Sequence, residues 1–168
     1  MQIGKTHGFC VRRYCRHDLV TGSNYLYSVD WPDGENVWFF CEAGAKQGED
    51  NIGFYNVFFP FNAEKISFGI VTHNHFDHVG LLPVIVRQGF TGPIFTSYST
   101  AKLMDISLYD STKIVDKELN QAIATTSEVE RTLSQVVGYT SQEYYYYFLF
   151  KWSSCWSSSD INCNNLSR

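Results

Sequence analysis

The chain has 168 residues, with 13 Lys and Arg against 17 Asp and Glu for a formal net charge of −4. That length allows one domain or the front part of a larger one, and the mild acidity excludes a broad electrostatic glove for nucleic acid, though not a local basic groove. With 44% hydrophobic and 18% charged residues a packed core is expected and global disorder is not.

No apolar run approaches a bilayer span, so no membrane partner is expected, and no secretory signal is visible around His7, Arg12, Arg13 and Arg16. Ser23 to Val29 and Val37 to Cys41 are aromatic and β-branched runs separated by Trp31-Pro32-Asp33-Gly34-Glu35. Pro-Asp-Gly is a turn signal, so the two runs are predicted to pair as a hairpin. Lys65 to Thr72 reads as a third strand and Pro83 to Gln88 as a helix, with Pro at its first position and Gly89 as its stop. Pro93 to Thr96 is a short strand; Thr100 to Lys113 is an amphipathic helix with Leu103, Met104, Ser107 and Leu108 on one face. Ser127 to Val137 opens on Ser-Glu-Val-Glu, a capping box, and sets Val129, Leu133, Val136 and Val137 on one side. Alternating strands and helices point to an α/β layered domain over residues 1–140. From Ser141 the composition changes: Gly, Ala, Val, Pro and Thr vanish, Tyr144 to Phe150 reads as a strand, and the Ser- and Asn-rich remainder of residues 141–168 is expected to be poorly ordered. Cys10, Cys15, Cys41, Cys155 and Cys163 are odd in number, which predicts reduced thiols in a cytoplasmic protein.

Three of the five histidines fall within six residues, His73-Asn74-His75-Phe76-Asp77-His78, after a buried strand and before Val79-Gly80-Leu81-Leu82-Pro83. Residues two apart in an extended segment point the same way, so His73 and His75 can offer imidazoles to one ion. Asp77 and His78 lie where the chain turns into a helix and can face a second ion. Imidazole suits Zn²⁺, while a carboxylate suits Zn²⁺, Mn²⁺ or Fe²⁺. Gly80 would let the backbone approach the metals closely. The bland alternative is a surface loop that happens to be rich in histidine, or imidazoles satisfied by backbone groups. Four donors in this order at a strand-to-helix junction favour metal.

His73-x-His75-x-Asp77-His78 after an apolar strand, with Gly80 and Leu82-Pro83 following, resembles the second motif of the metallo-β-lactamase fold. The stretch from Thr72 to Pro83, with Gly92 to Ser97 and Leu108 to Ile114, is similar to the β-CASP branch, which contains RNA-processing nucleases. The resemblance extends over about residues 20 to 140 and implies the N-terminal half of an αββα sandwich, an α/β fold. It further implies a two-metal hydrolase, with His73 and His75 on the first Zn²⁺ ion and Asp77 and His78 on the second, Mn²⁺ being the other metal expected. An activated water would attack the phosphorus of an RNA phosphodiester. Asp77 would orient that water and is the catalytic residue the resemblance implies. The family's first motif is an Asp before Gly at a strand's end; Cys41-Glu42-Ala43-Gly44 offers Glu42 there. The family completes its site with a third-motif His in Gly-His-x-x-Gly, a bridging Asp and a final His. No His follows His78, and Asp160 is the one Asp beyond residue 140.

A reading-frame slip is the expected cause of the missing third motif, against an ordinary divergent tail. Lys151-Trp152-Ser153-Ser154-Cys155-Trp156 can be encoded so that the next frame spells Asn-Gly-His-Leu-Val-Gly, with the two Trp codons forcing the glycines. The chain is then expected to be the front portion of a longer enzyme.

Lesser candidates are a structural zinc at His7, Cys10, Cys15 and His17, against free thiols beside a basic loop. Arg12, Arg13 and Arg16 are candidates for RNA phosphates, against a solvated loop. Phe54, Tyr55, Phe58, Phe59 and Phe61 are candidates for stacking on bases, against ordinary packing. RNA is the expected partner, and a homodimer is the other assembly considered. Two rival functions stand beside the nuclease: a hydrolase of thioesters, lactones or small phosphoesters on the same fold, and a truncated, non-catalytic protein that holds metal weakly.

Overall fold

The computed structural model describes residues 10–15, 22–30, 36–45, 59–113, 115–116 and 121–140. The chain divides into Met1–Gly138 and Tyr139–Arg168, and of the second unit only Tyr139 and Thr140 are described. The predicted turn at Trp31 to Glu35, the aromatic residues Phe54, Tyr55 and Phe58, and His7 and His17 lie outside the described residues, as do Tyr144 to Phe150, Asp160 and the proposed frame slip.

Aromatic and β-branched residues build strands β2 (Asn24–Asp30) and β3 (Asn36–Ala43), and β1 (Cys10–Cys15) pairs with β2. Strands β4 (Ile66–Ile70), β5 (Ile94–Ser97) and β8 (Val136–Tyr139) complete a six-stranded sheet in the order β1-β2-β3-β4-β5-β8. The first three strands are antiparallel neighbours, as the predicted hairpin requires; β3, β4 and β5 run parallel. A two-stranded ribbon, β6 (Val115–Asp116) with β7 (Gln121–Ala122), stands apart from that sheet.

Parallel strands need crossovers, and helices supply them. Between β4 and β5 come α1 (Phe76–Val79) and α2 (Leu82–Arg87); after β5 come α3 (Tyr98–Ser111) and α4 (Thr126–Gln135). Pro83 is the second residue of α2 and not the first, and Gly89, at φ 103, takes the left-handed turn that ends it. Alternation splits the sheet into two faces. Leu26, Phe40 and Ile94 join Val84, Ile85, Phe90, Met104, Leu108 and Val129 in one buried cluster with the helices. Between these positions Tyr27, Phe39, Phe68 and Phe95 form a row of neighbouring rings, with centroids 5.2, 4.9 and 5.9 Å apart, on the other side.

Several expectations need correction. Cys10 to Cys15 is a paired strand and not a basic loop. Its two cysteines sit at opposite ends of six extended residues, about 17 Å apart, which is too far for one zinc. Helix α3 starts at Tyr98 because the Ser97 hydroxyl accepts from Thr100 N at 3.1 Å. Its buried stripe is Thr100, Met104 and Leu108, while Leu103 is 53% exposed. The α4 capping box is Thr125 with Glu128, two residues earlier than Ser127 with Glu130. Val136 and Val137 belong to β8: the helix stops at Gln135 and the chain extends into the sheet.

Candidate metal centre

The His-rich stretch leaves the sheet as the sequence predicts. After β4 ends at Ile70, residues 71–75 carry no helix, and α1 begins at Phe76. Val71 N still donates to Phe95 O at 2.9 Å and Thr96 Oγ1 donates to Val71 O at 2.9 Å, so the strand's end is anchored on β5. The His75 carbonyl accepts from His78 N and Val79 N at 2.8 and 3.1 Å and closes a single helical turn. That turn is pressed against the end of β3. Asp77 O accepts from Ser23 N at 2.8 Å, Phe76 O from Ala45 N at 3.1 Å, and Leu81 N donates to Ala43 O at 2.7 Å. A Cβ on Gly44 would lie 1.6 Å from Asp77 O, so only glycine lets the two segments meet. Gly80 instead packs against its neighbours, at an ordinary φ of −61, where a Cβ would fall 2.9 Å from that of Ala45. Its smallness serves packing.

This folding gathers the imidazoles. The His73 ring centroid lies 4.6 Å from that of His75 and 4.0 Å from that of His78. His73 Nδ1 is 2.8 Å from Thr72 Oγ1, and Asn74 is tied to α3 by a 2.7 Å hydrogen bond donated by Ser107 Oγ. Asp77 Oδ2 stands 3.7 Å from His78 Nε2. Two ligands of one tetrahedral zinc, each at about 2.0–2.1 Å, lie about 3.4 Å apart, so this pair has nearly the span of two donors on one ion. Donor chemistry and this spacing fit a zinc ion. Among the described residues, however, no group of three or more His, Cys, Asp or Glu is arranged to hold one. His73 and His75 meet edge to face, with 78° between their planes.

Glu42, at the position where the resemblance expects an Asp, makes contacts across the fold that its place in the sequence does not show. It is 4% exposed, at the end of β3, with a left-handed φ of 65 that a non-glycine residue rarely holds. Its Oε1 accepts from Thr72 N at 3.0 Å, which ties β3 to the entry of the His-rich stretch. Its Oε2 lies 3.5 Å from His78 Nδ1. Neither of these two buried atoms has a hydrogen-bond partner among the described residues. The sequence signal was the unusual carboxylate two residues before a glycine; its contact with His78 depends on how two strand ends meet. Beside it, burial and then the Glu42 charge push the Cys41 thiol up to about 11, so this free cysteine stays protonated at neutral pH and is a poor nucleophile.

No helix among the described residues is long and apolar enough to cross a membrane. No family model matches the sequence. Over 98 residues the chain is 35% identical to ribonuclease TTHA0252 of Thermus thermophilus, a match covering 58% of this chain and 21% of that protein. It is 31% identical over 112 residues to cleavage and polyadenylation specificity factor subunit 3-II of Arabidopsis thaliana, covering 62% of this chain and 18% of the relative. Transcription termination factor FttA of Methanococcus maripaludis is 29% identical over 77 residues, 46% of this chain and 12% of its own. A solved B3 metallo-β-lactamase with an active-site glutamic acid overlays 51% of this chain and 34% of its own at a TM-score of 0.32 and 18% identity, too slight a likeness to build on. The chain spans about a fifth of the length of the first two relatives. Over the stretch it shares with them, the chain is a homologue of the β-CASP ribonucleases of the metallo-β-lactamase superfamily.

Proposed function

We propose that residues 1–140 are the motif-bearing part of a metal-dependent ribonuclease, with His73 and His75 as ligands of one zinc and Asp77 and His78 as ligands of a second. The observation that carries this reading is the His78 Nε2 to Asp77 Oδ2 spacing of 3.7 Å, inside a stretch whose three imidazoles are gathered by the fold. Bound zinc would supply Lewis-acid stabilisation of the charge that builds on a phosphate. The chain's own residues do the rest. The single turn of α1 presents Asp77 and His78 together, and the Asp77 carboxylate, 28% exposed, can orient an attacking water by accepting a hydrogen bond from it. Asn74, held by Ser107, sets the path of the backbone between His73 and His75. The substrate class proposed is RNA, on the strength of relatives named as a ribonuclease and a cleavage factor. The odd number of cysteines suits reduced thiols in a cytoplasmic protein.

One observation favours a second reading, a chain that holds metal too weakly to turn over: among the described residues no group of three or more donors is arranged to hold an ion. Zinc content and RNA cleavage of the purified 168-residue chain, beside His75→Ala, separate the two. The nuclease reading expects bound zinc and cleavage in the parent and loss of both in the variant. Cleavage unaltered by His75→Ala removes the metal mechanism, and a parent chain that neither retains zinc nor cleaves RNA supports the second reading.

A further inference from the structure

The stretch from His73 to His75 is anchored at both ends. At its start Val71 N donates to Phe95 O at 2.9 Å and Thr72 N to Glu42 Oε1 at 3.0 Å. At its end His75 O accepts from His78 N and Val79 N as α1 begins. Between these anchors, among the described residues, one side-chain hydrogen bond crosses to another element: Ser107 Oγ of α3 donates to Asn74 Oδ1 at 2.7 Å. A helical Ser or Thr commonly turns its hydroxyl back onto a carbonyl of the preceding turn. Thr132 does so to Glu128 O and Ser134 to Arg131 O, each at 2.7 Å, and Thr112, at the end of α3, to Tyr109 O at 2.8 Å. Ser107 instead reaches a residue 33 positions earlier in the chain. Its platform is firm, because Met104 and Leu108 on the same helix are fully buried in the core.

We infer that Ser107 is a positioning residue that, through Asn74, keeps the imidazoles of His73 and His75 turned to one side of the chain. Neighbouring side chains of extended backbone face opposite ways, and His75 is extended, at φ −71 and ψ 144. Drawing Asn74 toward α3 therefore turns His73 and His75 the other way, together. Their ring centroids lie 4.6 Å apart, and that of His78 lies 4.0 Å from His73. Without the bond, backbone rotation between the two anchored ends would part the rings. Ligands that must first be gathered bind an ion more weakly than ligands already held in place. The effect on metal rests on the proposed role of His73 and His75 as ligands, but the aim of the rings is a property of the metal-free chain.

Two measurements on the 168-residue chain test this. In the metal-free chain, nuclear Overhauser contacts from the His73 ring to the rings of His75 and His78 should be present in the parent. They should weaken in Ser107→Ala and in Asn74→Ala, and return in Ser107→Thr, whose hydroxyl donates in the same way. Cobalt(II) titration followed by visible absorption should show affinity lowered about tenfold in Ser107→Ala, the low end for a group that supports metal ligands. The urea midpoint should stay close to the parent's, which a merely structural role would move. Asn74→Ala should bind cobalt as weakly as Ser107→Ala, and the double variant no more weakly than either, because the two side chains act as one unit. Should Ser107→Ala fail to fold, Asn74→Ala carries the same test from the other side of the bond. A parent without the ring contacts overturns the inference, as do parental contacts in Ser107→Ala or a double variant whose loss is the sum of the two. Ring contacts that are present in the parent and lost in Ser107→Ala, in a chain that binds no cobalt, uphold the positioning role and refute the metal reading instead.

Discussion

On the helix-facing side of the sheet Phe40, Ile94, Met104 and Leu108 are fully buried, and each apolar group meets another apolar group. Two residues further along β3 the same face carries Glu42, a buried carboxylate on a left-handed backbone, opposite an imidazole nitrogen with no hydrogen-bond partner among the described residues. The first region satisfies the local rules of burial and propensity; the second breaks several of them at one point. Foldable sequences tend to break such rules where a site is built, and the surrounding core holds the exception in place. Substitutions should therefore separate into those that act on stability and those that act on the site alone.

The largest effect is expected where the two regions touch. Gly44→Ala would put a methyl group inside the Asp77 carbonyl, since that Cβ falls 1.6 Å from the oxygen and 2.2 Å from its carbon. Neither atom is the end of a flexible side chain, so the turn carrying His75, Asp77 and His78 must leave β3. A loss of more than about 5 kcal/mol, or failure to fold, is expected in urea unfolding. A parent-like midpoint would show that the segments do not meet as described.

Phe40→Ala comes next and tests the core by itself. Its ring is 0% exposed and meets Phe90 edge to face at 5.3 Å. Truncation should cost about 3–5 kcal/mol in the same measurement, the usual range for a large buried aromatic ring. The response should be one of stability; a variant refolded by added osmolyte should keep the parent's cobalt spectrum.

Both regions were unequally legible in the sequence. Strands β2 to β5 announce themselves because their alternation is carried by aromatic and β-branched residues over short runs. β1 does not, since Cys-Val-Arg-Arg-Tyr-Cys has two adjacent charges and becomes a strand by pairing with β2. β8 was hidden because Val136 and Val137 continue the helical spacing of Val129 and Leu133, and periodicity cannot show where the backbone changes course. In α3 Met104 and Leu108 are buried as their spacing predicts, but Leu103 faces solvent and Thr100 is buried in its place, so a stripe read from residue type misplaces one edge of the buried face. At the site, the order of His and Asp is a contiguous signal and is plain in the chain. The contacts of Glu42 with Thr72 and His78 join residues 30 and 36 positions apart, and only the meeting of β3 with the β4–α1 junction creates them.

His75→Ala should have the opposite character to Phe40→Ala. His75 is exposed and is the N-cap of α1 without making a side-chain capping bond, so its removal leaves no orphaned group in the core. Stability should change by less than about 0.5 kcal/mol, while zinc retained on dialysis falls. A large loss of stability would mean that the imidazole is a structural prop, and the contrast between the two regions would weaken.

The smallest effect concerns the residue between Phe40 and Glu42. Cys41 has its thiol pushed from 9.0 to about 11 by burial and, secondarily, by the Glu42 charge. The folded chain therefore keeps the proton that the unfolded chain releases above about pH 9. Between pH 9 and 11 the unfolded state binds fewer protons, so the stability due to this thiol is whole below pH 9 and is lost as pH rises through 11. Tyrosines titrate in the same window, so the measurement is a difference: urea midpoints of the parent and Cys41→Ser at pH 8 and pH 10.5. The parent should lose more stability than the variant on moving to the higher pH, by a small margin because Cys41 is only half-buried. Glu42→Gln should narrow that margin without abolishing it, since removing the charge leaves the larger, burial contribution in place. If Glu42→Gln abolished it, the charge would outweigh burial at this position, and the buried carboxylate would govern both faces of the strand that carries it.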